Sequence, residues 1–391
     1  MTDLARASWP RRSDLAELVA ILGADNLRWV GGAVRDTLLG AEVHDIDAAT
    51  KLAPHDVMAA LGEAGIKVIP TGIDHGTVTA VLAGGTVEIT TLRKDVATDG
   101  RRATVAFASD WADDAARRDF TINALYAHPE TLEVTDYFTG LADLEARRVR
   151  FIGEARQRIA EDHLRILRYY RFQARFGSML DSEAEAACAD MAATLKGLSR
   201  ERVAGELLAL LALPDPVATV ERMFARGVLP VVLPEASAQT VAELARLVAF
   251  EKECAAPPSA LRRLAALLPP DAKLAEQVAA RLRLSTAQKK SLARLAKRGG
   301  DLQPPRALAY REGVDMARAL LLLAGLPAGD LDGWDVPSFP LKGGQIVARG
   351  VGAGPEVARI LQAVEAAWIA ENFPDAARIE QILAGELPEQ G

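Results

Sequence analysis

Cysteine is nearly absent: Cys188 and Cys254 are the only two in 391 residues, so neither a disulfide framework nor a thiolate zinc site is available. Histidine is scarce and one-sided. All five (His44, His55, His75, His128, His163) fall in the first 163 residues, which excludes a His-Asp metal phosphohydrolase module from the remainder. Long apolar runs are missing too. The start, MTDLARASWPRRSD, has no apolar signal core, and the strongest later run, Ala319 to Leu326, is far below the roughly 18 residues a membrane helix takes. A cytoplasmic protein with no membrane partner is expected. Basic charge is in deficit, 46 Lys and Arg against 53 Asp and Glu for a net −7. Taken as an average, that argues against nucleic acid, because neutralising phosphates takes Lys and Arg.

The distribution reverses the last inference. Residues 147–175 hold nine Arg against Glu154, Glu161 and Asp162, and residues 281–298 hold seven basic side chains and no acid. With +6 and +7 in those stretches, a total of −7 leaves −20 for the rest. Basic tracts in an acidic shell can follow an RNA backbone, with an affinity that falls as salt rises. Half of the chain is apolar and a quarter charged, as in folded proteins, and the length suits two or three domains.

Up to about residue 150, short runs rich in β-branched residues alternate with helical segments. Leu27 to Val30, Ile46 to Ala49, Thr77 to Leu82 and Thr86 to Ile89 read as strands, Gly32 to Leu39 and His55 to Glu63 as helices. From about Glu154 the strand signals stop, and apolar residues recur every three or four positions through Arg158 to Arg175, Glu183 to Leu195 and Arg200 to Leu213. Prolines divide the helices beyond. The expected fold is an α+β head on a small mixed sheet (1–150), then an all-α neck (151–213) and a helical body and tail (214–391).

Three constellations carry chemistry. Strand Leu27 to Val30 runs into Gly31-Gly32 and a helix with Arg35 in its first turn. Such a turn lets backbone N–H groups approach a polyphosphate, although Gly-Gly before a helix is also an ordinary tight turn. Next, period-2 geometry puts Asp45 and Asp47 of His44-Asp45-Ile46-Asp47 on one face of a strand. Two adjacent carboxylates repel unless a cation sits between them, and hard oxygen donors suit Mg2+. Phosphates at a turn beside an Asp-x-Asp strand make the arrangement of a two-metal phosphoryl transfer.

Gly31-Gly32-Ala33-Val34-Arg35-Asp36-Thr37-Leu38-Leu39-Gly40 followed by Asp45-Ile46-Asp47 resembles the opening motif of the class II tRNA nucleotidyltransferase and bacterial poly(A) polymerase family, within the polymerase-β-like nucleotidyltransferases. The resemblance implies a nucleotidyltransferase head with Asp45 and Asp47 as catalytic metal ligands and Gly32 and Arg35 as nucleotide contacts. Such heads carry a third carboxylate, for which Glu88 is the candidate.

The second constellation, Arg117-Arg118-Asp119-Phe120-Thr121-Ile122-Asn123, is similar to the family's next motif. If a helix starts here, Asp119 and Asn123 share a face at i, i+4 and hold a ribose 2′-OH or each other, with Arg118 reaching a phosphate or stacking on a base. In the third, Asp162, Arg165, Arg168 and Arg171 recur every three residues and form a polar stripe along one helix. Asp162 can accept from the exocyclic amine of cytosine or adenine while Arg165 donates to the ring nitrogen beside it. Guanine and uracil present the reverse pattern, so the stripe selects C and A without a template; an intrahelical ion pair is the plain alternative. The resemblance adds Arg168 and Arg171 as nucleotide contacts.

Between the first two motifs, Thr91 to Ala103 reads as a mobile polar loop, similar to the loop that CCA-adding members use when switching from C to A. Near the end, Lys342-Gly343-Gly344 and Gly350 to Pro355 separate two helices; the family tail implies an RNA-holding role there, a packing corner being the alternative. The expectation is a Mg2+-dependent enzyme adding C, C and A to tRNA 3′ ends from CTP and ATP. Rivals are a poly(A) polymerase or a CC- or A-only adder, an RNA-binding protein with a degenerate head, and a small-molecule adenylyltransferase.

Overall fold

The computed structural model describes residues 3–43, 45–99, 102–108, 110–298, 302 and 304–387. They gather into two compact units, Met1–Pro234 and Glu235–Gly391, so the segments expected as head and neck lie in one unit.

The first unit holds strands β1 (Leu27–Val30), β2 (Ile46–Thr50), β3 (Lys67–Gly72), β4 (Thr77–Leu82), β5 (Gly85–Thr91), β6 (Arg93–Asp99), β7 (Arg102–Phe107), β8 (Leu125–Ala127) and β9 (Val134–Asp136). Seven form one sheet in the order β3-β4-β5-β2-β1-β8-β9. β2 and β5 are its parallel pair and the other neighbours run antiparallel. The alternation that made these runs legible is the alternation of burial: Val78 and Ala80 of β4 and Val87 and Ile89 of β5 are buried. Helix Gly32–Leu38 follows β1. Helix Pro54–Glu63 follows β2, opens on a proline whose missing N–H costs nothing in a first turn, and buries Val57 and Leu61.

The expected mobile loop is instead a two-stranded hairpin. β6 and β7 pair from Arg93↔Phe107 to Asp99↔Arg102; Gly100 and Arg101 lie outside the described residues. Val96, Thr98, Thr104 and Val105 supply the β-branched residues that favour extended backbone, a signal outweighed in the sequence by the polar residues between them.

After β9 the named elements are helices. Helix Arg165–Phe176 packs its aromatic face on the second motif, with the Phe120 ring centroid 5.0 Å from Phe151 and 5.2 Å from Phe172. Burying rings of this size contributes on the order of 2 kcal/mol each, and it ties the second motif to helix Arg165–Phe176. The second unit is helical throughout its named elements. Its buried Glu251 is paired with Arg262 at 2.6 Å and Arg263 at 2.7 Å. Helices Gly343–Val347 and Pro355–Ala370 share a core of Ile346, Ile360, Val364 and Trp368, and Pro355 opens the second of them as expected. No described helix is long and apolar enough to cross a membrane.

Candidate active site

At the end of β1 the chain turns through Gly31, whose φ of 66° and ψ of −125° suit glycine. A Cβ there would sit 3.5 Å from both Arg118 Nη1 and Asp47 Oδ2, so the turn lies where the first two motifs meet. Parallel pairing sets Asp47 opposite Glu88, and paired residues of adjacent strands point to the same face. Thr90, two residues on, joins them in lining a cleft of about 330 Å³. Asp45 is exposed just before β2. Burial, then the Glu88 charge, push the Asp47 carboxyl up to about 6 against the pull of Arg118, with Asp45 adding to the rise.

That repulsion is what a cation would relieve, and the donors are hard oxygens, so these residues fit a divalent metal in kind. Among the described residues no three His, Cys, Asp or Glu side chains close round one point; Asp47, Glu88 and Asp45 offer donors rather than a finished cage.

Arg35 does not line the cleft as a phosphate contact should. It is buried, paired with Asp36 at 2.8 Å, donates to Asn123 Oδ1, and lies over the rings of Phe172 and Phe176 at 5.2 and 4.3 Å. Helix Gly32–Leu38 rolls it inward, where burial pushes its pKa down and its guanidinium fixes an amide instead of meeting solvent. Gly32 stands beside it, its would-be Cβ 3.8 Å from Arg35 Nη2.

The second motif does not begin an α-helix. Phe120 is extended and bridges to Phe151, and Thr121–Asn123 makes a 3₁₀ turn. The buried aromatic bridge overrides the helical spacing. Asp119 and Asn123 nonetheless hold each other, Nδ2 to Oδ1 at 3.0 Å, and Arg168 Nε donates to Asp119 Oδ2 at 2.7 Å. Burial alone would raise the Asp119 carboxyl; Arg168 and Asn123 outweigh it and hold it below the usual range. Arg118 lines the cleft, donating from Nε to the Tyr126 hydroxyl at 2.8 Å and from Nη2 to Asp114 at 3.3 Å.

The third stripe is not one helix either. Helix Ala155–Glu161 ends at Asp162, which is extended (φ −148°, ψ 105°), and a new helix starts at Arg165. The break has a local cause: Asp162 Oδ1 accepts from Leu164 N at 3.1 Å, satisfying an N–H at the start of the next helix. Asp162, Arg165 and Arg168 all reach the cleft. Arg165 donates to Glu161 Oε2 at 2.5 Å, to the Arg158 carbonyl at 2.8 Å and to the Arg117 carbonyl at 3.1 Å, which aims the remaining N–H groups. Arg171 turns to Glu206 at 2.6 Å and does not line the cleft.

Arg93 and Arg117 line the cleft without having been singled out. Arg117 pairs with Asp114 at 2.7 Å, and the Arg93 backbone N–H meets the same carboxylate at 3.3 Å. The doubled arginine of the second motif was a usable signal for Arg117. Arg93 opens β6, two residues after β5 ends, inside the polar stretch read only as a loop.

Known proteins align with this arrangement. The family described as "Poly A polymerase head domain" matches residues 27–150, and "Probable RNA and SrmB- binding site of polymerase A" matches 179–240. The chain is 36% identical over 380 residues to the mitochondrial CCA tRNA nucleotidyltransferase 1 of Mus musculus, covering 90% of this chain and 86% of that protein. It is 42% identical over 184 residues to the CCA-adding enzyme of Oceanobacillus iheyensis, covering 46% of this chain and 45% of that one. Among solved structures, the Bacillus stearothermophilus CCA-adding enzyme in complex with CTP superposes with a TM-score of 0.75 at 25% identity, over 96% of this chain and 98% of that chain.

Proposed function

Because the chain belongs to the CCA tRNA nucleotidyltransferase family, we propose that it adds C, C and A to the 3′ end of tRNA from CTP and ATP without a template. The observation that carries this reading is one cleft with the carboxylates Asp47 and Glu88 beside the base-edge pair Asp162 and Arg165. In the reaction the terminal 3′-hydroxyl of the tRNA attacks the α-phosphate of the nucleotide, and pyrophosphate leaves.

Asp45 and Asp47, with Glu88, would hold a divalent metal, Mg2+ in our proposal; bound there, it lowers the pKa of the attacking hydroxyl and neutralises charge on the triphosphate. The remaining work falls to the chain. Arg118, with Arg117 and Arg93, gives the cleft the positive charge a triphosphate needs. Asp119 and Asn123 present a rigid acceptor and amide for the ribose. Arg35, Arg168 and Arg171 serve the nucleotide by fixing Asn123, Asp119 and the neck helix, and Gly32 opens the helix that carries Arg35. Asp162 accepts from the amine of cytosine or adenine and Arg165 donates to the ring nitrogen; both bases share that edge. We assign the head to 1–150, the base-reading neck to 151–213 and the RNA-holding body and tail to 214–391. A cytoplasmic location belongs to the proposal, with cell fractionation as its check, since the mouse relative is named as mitochondrial.

Incubating the protein with tRNA lacking its terminal CCA and each nucleotide tests the reading: CTP alone gives two additions and CTP with ATP gives three. The matched head description favours one rival, a poly(A) polymerase, and repeated incorporation from ATP alone would establish it instead. Chelating divalent metal should stop incorporation and added Mg2+ restore it.

A further inference from the structure

Helix Arg200–Leu211 contributes no side chain to the cleft, yet it grips the residues that do. Arg202 Nη2 donates to Asp162 Oδ2 at 2.7 Å. One turn on, Glu206 accepts from Arg171 Nε at 2.6 Å and faces Arg168 Nη1 at 3.6 Å. With Leu164 N on Oδ1 and Arg202 on Oδ2, both oxygens of the Asp162 carboxylate are held. A carboxylate oxygen accepts more than one hydrogen bond, so Oδ2 keeps a lone pair for a base amine. Asp162 lies in a break between two helices, where no helical backbone repeat fixes its side chain.

We propose that Arg202 is a specificity-determining positioning residue. By holding the Asp162 carboxylate in one orientation, it presents an acceptor edge that a base can meet only with an amine. Freed of Arg202, the carboxylate can rotate or take a bridging water, and so receive the carbonyl of uracil. The Arg202 contact is a single Nη2–Oδ2 bond, which a lysine ammonium on its shorter stem would keep only in part. The inference rests on the base-reading role given to Asp162 and Arg165 above.

The test is kcat/KM for CTP and for UTP on tRNA lacking its terminal CCA, with the parent chain and with Arg202→Gln, Arg202→Lys, Glu206→Gln and Arg165→Ala. Arg202→Gln should lower the preference for CTP over UTP about tenfold, mostly through a raised KM for CTP, and Arg202→Lys about threefold. Glu206→Gln, which leaves Asp162 alone, should slow both nucleotides alike and leave the preference unmoved. A preference in Arg202→Gln within about twofold of the parent, beside a lowered one in Arg165→Ala, overturns the inference and leaves base reading standing. An unchanged preference in both overturns both. An equal fall in Glu206→Gln and Arg202→Gln also overturns it, because the helix as a whole is then the cause. If Arg202→Gln does not fold, Arg202→Lys decides by the same measure.

Discussion

Asp47 and Glu88 on the sheet wall of the cleft, and Asp45 just before β2, have no side-chain hydrogen bond or ion pair among the described residues, and Asp47 is pushed up to about 6 by burial and Glu88. On the helical wall, Asp119, Asp162, Arg165 and Arg168 are each tied to named partners at 2.5 to 2.7 Å. On the function proposed above, the contrast follows from what each wall would meet. A hard dication would relieve the repulsion on the first wall, and an ion pair already formed there would compete with it. A neutral base edge would offer only a few hydrogen bonds, so the second wall has to be fixed beforehand for those bonds to discriminate.

The sharpest way to break this contrast is Asp47→Asn, which keeps shape and removes one charge. Nucleotide addition should fall by at least roughly a thousandfold, the scale on which a metal ligand serves phosphoryl transfer. Affinity for tRNA, measured by filter binding, should stay near the parent value. A variant that still adds CMP at a tenth of the parent rate or better would show that the sheet wall is not the reaction centre.

The two walls also differ in how far the sequence exposed them. Asp45 and Asp47 were legible from period-2 spacing and Glu88 only through the family resemblance, while the pairing of β2 with β5 is what brings Asp47 opposite Glu88. The helical wall was legible as residue types and not as geometry. Apolar spacing runs without interruption from Arg158 to Arg175 and hides the break that the Asp162 side chain imposes by capping Leu164. Arg35 looked like a phosphate contact from its place after Gly-Gly, and only the packing of Phe172 and Phe176 turns it inward. Arg202 and Glu206 reach Asp162 and Arg171 across 40 and 35 residues of chain, a separation that local patterns do not encode. Three-residue strands such as β8 and β9 carry too few alternations to be read.

A smaller effect separates recognition from chemistry. Arg165→Ala removes the donor from the base edge and leaves Asp162 with Arg202. The preference for CTP and ATP over UTP and GTP should fall by about 10- to 100-fold, the worth of one good base-edge contact. Metal affinity, read by Mn2+ titration, should not move, since Arg165 touches none of the sheet carboxylates. Loss of metal binding with selectivity intact would merge the two walls into one functional unit and end the distinction.

Gly31→Ala probes the seam of the sheet wall and should be the mildest of the three. The added methyl would have ordinary contacts, 3.5 Å from Asp47 Oδ2 and Arg118 Nη1, so space is not the obstacle. The backbone is: φ is 66° there, which costs a residue with a side chain about 1–2 kcal/mol. Thermal denaturation should show Tm lower by about 2–6 °C. Because the methyl meets Asp47 and Arg118 but neither Asp162 nor Arg165, CTP and ATP should be used more slowly to the same extent, with the preference over UTP unchanged. A changed preference at an unchanged Tm would mean that the turn communicates with the base edge, and that the walls are coupled through Arg118 rather than independent.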